Sequence, residues 1–125
     1  MERKEYRFDF EVYNDLHELN AEDAALLQEA RATTANAYAP YSHFNVGAVA
    51  KLANGAIVTG TNQENASYPV GICAERVLLS AAAVLHPNVP IDTLAISYHN
   101  LDGDSSKPVS PCGMCRQSLS EYQIR

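Results

Sequence analysis

From Val46 onward the chain alternates: Val46, Ala48, Ala50 and Leu52 recur at every second position, Asn54-Gly55 interrupts, and Ala56 to Gly60 resumes. A period of two places one set of side chains on one face of a strand, and Asn-Gly favours a two-residue turn, so this stretch predicts a β-hairpin. Upstream the period changes. Asn20 is placed to cap a helix whose third position is Asp23, and Leu27, Ala30, Thr34 and Tyr38 then follow at helical spacing until Pro40 stops the run. Downstream, Val77, Leu78, Ala81, Val84 and Leu85 form the apolar face of a second helix, from about Cys73 to Leu85, closed by Pro87. Leu94 to Tyr98 reads as a compact strand, residues 102–106 as a surface loop, and Cys112 to about Tyr122 as a last helix. Near the start, Phe8, Phe10 and Val12 alternate with Asp9, Glu11 and Tyr13, the pattern of a short edge strand. Helices alternating with strands predict an α/β domain whose sheet is covered on both faces.

Size and charge narrow what such a domain does. A chain of 125 residues fits one domain, residues 1–125. Nine Lys and Arg against fifteen Asp and Glu give a net charge of -6. Proteins that track a phosphate backbone carry a basic stripe, so a nucleic-acid polymer is not the expected partner. The apolar run from Val77 to Leu85 is broken by Ser80 and falls well short of the ~20 residues a membrane helix needs. The charged opening Met1-Glu2-Arg3-Lys4-Glu5 resembles no export signal, which predicts a cytoplasmic protein.

The cysteines carry the chemistry. All three lie in two segments, Cys73-Ala74-Glu75-Arg76 and Pro111-Cys112-Gly113-Met114-Cys115. An odd number of thiols without an export signal argues against a disulfide framework and for thiolates kept for metal or catalysis. Three thiolates can hold Zn²⁺ and leave a fourth position for water, whose pKa the ion lowers to about 7. Cys112 and Cys115, three apart at a helix start, can face one point, where unpaired N–H groups favour their negative charge. Glu75, two residues after Cys73, is placed as an acid/base group, and Arg76 could hydrogen-bond a ligand sulfur. A lone Cys-x-x-Cys would also suit a redox pair or half of a structural zinc clip. Neither needs Cys73 with Glu75, and none of His17, His43, His86 and His99 has the spacing of a fourth ligand. His43 reads as structural.

One Cys ligand, a glutamate outside the metal shell and a later Pro-Cys-x-x-Cys form the pattern of zinc deaminases. With Ala39 to Ala48, very similar to a signature of that group, the sequence resembles the small homotetrameric cytidine deaminases over roughly residues 22 to 122. The resemblance implies a three-layer fold, a mixed sheet with helices on both faces. Family members continue past the Pro-Cys-x-x-Cys helix into further strands and a final helix. This sequence stops at Arg125, which leaves two readings, a shortened chain or a sheet smaller than the family's; residues 1–19 precede the start the resemblance implies and read as an N-terminal extension. It further implies one Zn²⁺ on Cys73, Cys112 and Cys115, a homotetramer, and hydrolysis of cytidine and deoxycytidine to uridine and deoxyuridine plus ammonia by zinc-bound hydroxide, in pyrimidine salvage. Glu75 would shuttle the proton, the Ala74 N–H would hold the pyrimidine O2, and Arg76 would bond to ligand sulfur. Phe44 would pack on the pyrimidine, Asn62 and Glu64 would bind the ribose 3′-hydroxyl, and Tyr68 would reach the sugar of an adjoining subunit. Without the resemblance, Asn62 to Asn65 reads as a solvated turn, and Phe44 or Tyr68 as core. The rival readings are a deaminase of another cytosine-bearing molecule, as in the blasticidin-S deaminases, and a structural zinc or thiol-redox module.

Overall fold

A computed structural model describes residues 1–123. Its regular elements, in chain order, are helix α1 (Ala21–Thr33), strands β1 (Phe44–Leu52) and β2 (Ile57–Thr61), helix α2 (Ala74–Leu85), strand β3 (Ile91–Asn100) and helix α3 (Gly113–Gln123). The sheet order is β2-β1-β3, with β1 central. Alternation along β1 builds two cores. Ala48, Ala50 and Leu52 face α2 and pack with Val58, Leu78, Leu79 and Ala82, whereas Val49 faces α1 and packs with Leu26, Ala30 and Ala95. Helix α3 packs beside α2, so the layers are α1, the sheet, then α2 with α3. The expected α/β/α class is the observed one.

Several local expectations give way to tertiary contacts. The sheet expected to be mixed is antiparallel at both junctions, β1 with β2 and β1 with β3. Helix α2 is a crossover between β2 and β3, which therefore run the same way, but β1 lies between them. The edge strand expected at Phe8, Phe10 and Val12 does not form. Residues 1–13 pair with no strand, and those three side chains are 71%, 76% and 73% exposed. A period of two without a partner strand leaves its backbone groups to water and fixes no structure.

The first helix was expected to run to Tyr38; α1 ends at Thr33 and tightens into a 3-10 turn, Thr34–Asn36. Tyr38 is instead drawn into extended pairing with the segment after β2: its N–H donates to Asn62 O at 3.0 Å, and its carbonyl accepts from Glu64 N at 2.8 Å. The buried stripe of the helix is Leu26, Ala30 and Thr34, one residue out of step with Leu27. In α2, Ala74, Glu75, Leu78, Leu79 and Ala82 are buried, while Val84 and Leu85, expected in its apolar face, are 79% and 67% exposed. Strand β3 exceeds the expected Leu94–Tyr98 because it pairs along all of β1.

The hairpin turn has three residues, not two. Gly55 N–H donates to Leu52 O at 2.9 Å, and Leu52 N–H to Ala56 O at 2.8 Å. Within this turn only Gly55, at φ 87, takes the left-handed conformation, which suits a type I turn closed by glycine. Gly60 has another role. A Cβ there would lie 2.5 Å from the carbonyl oxygen of Ala74 and 2.6 Å from the N of Leu78, so β2 rests directly on the first turn of α2. Among the described residues no helix is long and apolar enough to cross a membrane.

Gly60→Ala is expected to push α2 off the sheet and to destabilise the fold by about 1–3 kcal/mol. Urea unfolding checks this as a lower midpoint at unchanged slope.

Candidate metal centre and cleft

Two helix starts meet at one point. Cys73 is the N-cap residue of α2, with extended backbone, and Glu75 lies in the helix's first turn, 6% exposed. Cys112 immediately precedes α3 and Cys115 is buried in its first turn. The N–H groups of such turns lack intrahelical acceptors, and the helix dipoles place positive potential there. The Sγ atoms of Cys73 and Cys112 are 3.7 Å apart, those of Cys112 and Cys115 are 3.3 Å apart, and all three lie within 4.8 Å of one another. Three sulfurs about 2.3 Å from one tetrahedral ion would sit about 3.8 Å apart, so the donor set fits zinc with small side-chain adjustments. Among the described residues the cluster contains these three cysteines and no fourth Cys or His.

The surroundings tune each group. The Cys115 N–H points at the Cys112 sulfur, and with the Cys115 thiol it lowers the Cys112 pKa below the usual thiol value. Burial pushes the Cys115 thiol up, and the Cys112 sulfur and the Glu75 carboxylate add to the shift. That thiol donates to Glu75 Oε2 at 3.3 Å. A bound dication reverses this balance and takes the thiol as thiolate. The Arg76 guanidinium lies with Nη2 4.0 Å from Cys73 Sγ and 3.5 Å from the carbonyl of Gly71, and the Cys73 sulfur keeps it more firmly protonated than usual. Its Nε is buried with no hydrogen-bond partner among the described residues.

A cleft of about 590 Å³ opens onto Cys73 and Arg76, with Ser42, Asn62, Glu64 and Tyr68 among its walls. Glu64 Oε1 accepts from Tyr41 N at 3.0 Å and Ser42 N at 3.2 Å, and its Oε2 accepts from Ser42 Oγ at 2.6 Å. Burial alone would raise its pKa; the bonds from Ser42 and Tyr41, helped by His43, hold it below the usual carboxylate range. An ionised carboxylate has about four acceptor sites, so Glu64 keeps capacity for a further donor. Asn62 is used differently: its Oδ1 accepts from Val46 N and its Nδ2 donates to Phe44 O, both at 2.8 Å, stitching the start of β1 to the end of β2. Ala74 is buried at the head of α2, and Tyr68, 91% exposed, stands at the cleft wall. Phe44 is half-buried and stacked on Tyr98, ring centroids 4.8 Å apart.

The structure thus gathers Cys73, Glu75, Arg76, Cys112 and Cys115 at one centre and sets Asn62, Glu64 and Tyr68 around the adjoining cleft. Tyr41, Ser42 and Tyr98 were not singled out from the sequence. Ser42 sits in the signature stretch beside Phe44, a signal that was available. Tyr98 needs the register of β3 on β1 before its ring can be placed on Phe44.

Fold and site together mark an α/β domain whose three converging thiols suit a zinc ion. Residues 20–125 match the family model described as "Cytidine and deoxycytidylate deaminase zinc-binding region", and the chain belongs to that family. It is 41% identical over 96 residues to the cytidine deaminase of Halalkalibacterium halodurans, covering 77% of this chain and 68% of that protein. To the cytidine deaminase of Mycobacterium tuberculosis it is 44% identical over 88 residues, covering 70% and 62%. The crystal structure of cytidine deaminase from Mycobacterium leprae superposes with a TM-score of 0.68 at 38% identity, over 83% of this chain and 81% of that one. The chain therefore spans 62–68% of the length of these two curated relatives.

Because zinc uptake must release the Cys115 proton, its apparent affinity is expected to fall as pH falls, with protons liberated on binding. Competition with a chromogenic chelator across pH checks this. In the metal-free protein Cys112, exposed and of lowered pKa, should alkylate before the buried Cys115, and zinc should protect both, as read by peptide mass spectrometry.

Proposed function

We propose that this chain hydrolyses cytidine and deoxycytidine to uridine and deoxyuridine with release of ammonia, as a step of pyrimidine salvage. The carrying observation is the buried Glu75 carboxylate, 3.3 Å from Cys115 Sγ, beside three converging thiols at a nucleoside-sized cleft. The names of the similar proteins supply the substrate class. Cys73, Cys112 and Cys115 would hold the zinc, which when bound supplies Lewis-acid activation of a water molecule. Glu75 takes one proton from the attacking water and delivers it to N3 of cytosine, then takes the proton left on the new C4 hydroxyl and passes it to the amine as the C4–N bond breaks. Burial among apolar residues at a helix N-terminus keeps that carboxylate fixed between donor and acceptor.

The remaining groups orient the nucleoside. The Ala74 N–H, at the head of α2, is offered to the pyrimidine O2, and Phe44, braced by Tyr98, packs on the ring. Glu64 accepts a ribose hydroxyl on its spare lone pair, while Asn62 holds the β1 backbone beside it and offers its second amide hydrogen. Tyr68 is exposed and reaches the sugar in an adjoining subunit, so the working form is a homotetramer. The exposed Val84 and Leu85 supply apolar surface for such an assembly. Residues 1–125 act as one domain with residues 1–19 as an extension. Three free thiols suit the reducing cytoplasm. A structural zinc clip is disfavoured because such sites close with a fourth Cys or His. A polar wall of Glu64 and Asn62 suits a ribose better than the peptidyl side of blasticidin S.

Ammonia release from cytidine, measured together with zinc content, tests the proposal: zinc without turnover on either nucleoside overturns it. Glu75→Ala should keep zinc and the native circular dichroism while kcat falls by about 10²–10⁴-fold. Arg76→Gln should retain zinc but leave more negative charge on the sulfurs, making the bound water less acidic, so the acid limb of the pH–rate profile moves to higher pH.

A further inference from the structure

The segment before β1 makes a tight turn at His43, whose φ of 56 lies in the left-handed region that a side chain with a Cβ seldom occupies. That conformation turns both N–H groups of Tyr41 and Ser42, and the Ser42 hydroxyl, onto the Glu64 carboxylate. The same hydroxyl accepts the N–H of Phe44 at 3.1 Å, so one turn fixes both the carboxylate and the aromatic residue beside it. A strained turn on the surface persists only if something over-determines it. The His43 N–H donates to the Ala39 carbonyl at 3.0 Å, and two further contacts come from the far end of β3. Leu101 N–H donates to the His43 carbonyl at 2.9 Å, and the His43 ring Nδ1 lies 3.0 Å from Asp102 Oδ2. A carboxylate only accepts, so Nδ1 carries the hydrogen. The pair is half exposed, 50% and 67%, and sits outside the metal centre.

We infer that Asp102, acting through His43, is a positioning residue for nucleoside binding: it locks the Tyr41–Ser42 turn that holds Glu64 with one lone pair facing the sugar. The inference rests on the sugar-binding reading of Glu64 given above. Asp102 itself touches no substrate. Its effect is on the geometry of an acceptor three links away, and therefore on binding rather than on the chemical step.

The test uses the zinc-loaded full chain with Asp102→Ala, Asp102→Asn and, as a control for the reading of Glu64, Glu64→Gln. With no substrate present, amide-proton exchange by NMR at Tyr41 and Ser42 should quicken about 2- to 5-fold in Asp102→Ala, the range an exposed pair supports. Asp102→Asn, which keeps an acceptor oxygen, should restore most of the protection. In turnover, Asp102→Ala should raise KM for cytidine about 2- to 5-fold at unchanged kcat. KM for 2′,3′-dideoxycytidine, which lacks the hydroxyls, should stay where it is. Unchanged exchange at Tyr41 and Ser42, or an equal rise of KM for both nucleosides, overturns the inference. If Glu64→Gln fails to separate the two nucleosides, it is the sugar-binding reading of Glu64 that falls, and the exchange rates alone decide whether Asp102 holds the turn.

Discussion

The contact between β2 and the first turn of α2 governs where the chemistry sits. Gly60 lies flat on the peptide groups of Ala74 and Leu78, so no side chain separates strand from helix at this point. Leu78 and Ala82 continue the contact onto β1 through Ala48, Ala50 and Leu52. Packed interiors are close to crystalline in density, and a helix seated this way has little freedom to slide or rotate. Cys73 and Glu75, at its N-terminus, are therefore placed by the hydrophobic core and not by local loop structure. Cys115, fully buried in the first turn of α3, meets them because α3 packs beside α2.

What the core brings together is electrostatically uneasy. Three sulfurs and a buried carboxylate share a small volume, and like charges in a poorly hydrated place cannot all ionise. Burial, the Cys112 sulfur and the Glu75 carboxylate raise the Cys115 pKa, and its sulfur lies 3.3 Å from Glu75 Oε2. Two helix N-termini and the Arg76 guanidinium offset part of the negative charge. The same arrangement holds the Glu75 carboxylate 3.3 Å from the Cys115 sulfur, the placement on which the proposed proton-transfer role rests.

The cleft beside this centre is held by a different kind of interaction. Asn62 and Glu64 lie just past β2; Asn62 bonds backbone at the start of β1, and Glu64 bonds two backbone N–H groups and a hydroxyl just before it. A polar pair that reads as a solvated turn in the sequence is partly occupied in fixing the walls. Glu64 retains spare acceptor capacity because a carboxylate has more lone pairs than the turn has donors.

Much of this was legible in residue order alone. The hairpin, α2 and its Cys73–Glu75 start, the Cys112–Cys115 pair and the α/β class follow from periodicity, turn chemistry and the use of all three cysteines in two short motifs. These are local rules, and they hold because the core agrees with them. Where the structure departs from the sequence reading, the cause is a distant partner. Tyr38 leaves its helical period to pair with Asn62 and Glu64, Phe8 and Phe10 alternate without a strand to receive them, and Val84 and Leu85 turn outward because Leu79 and Ala82 take the buried face. Likewise Tyr98 under Phe44 and Asp102 on His43 depend on the register of β3 against β1, a relation between residues more than fifty positions apart. Sequence determined which side chains exist to do the chemistry; only packing across the sheet decided which of them face one another.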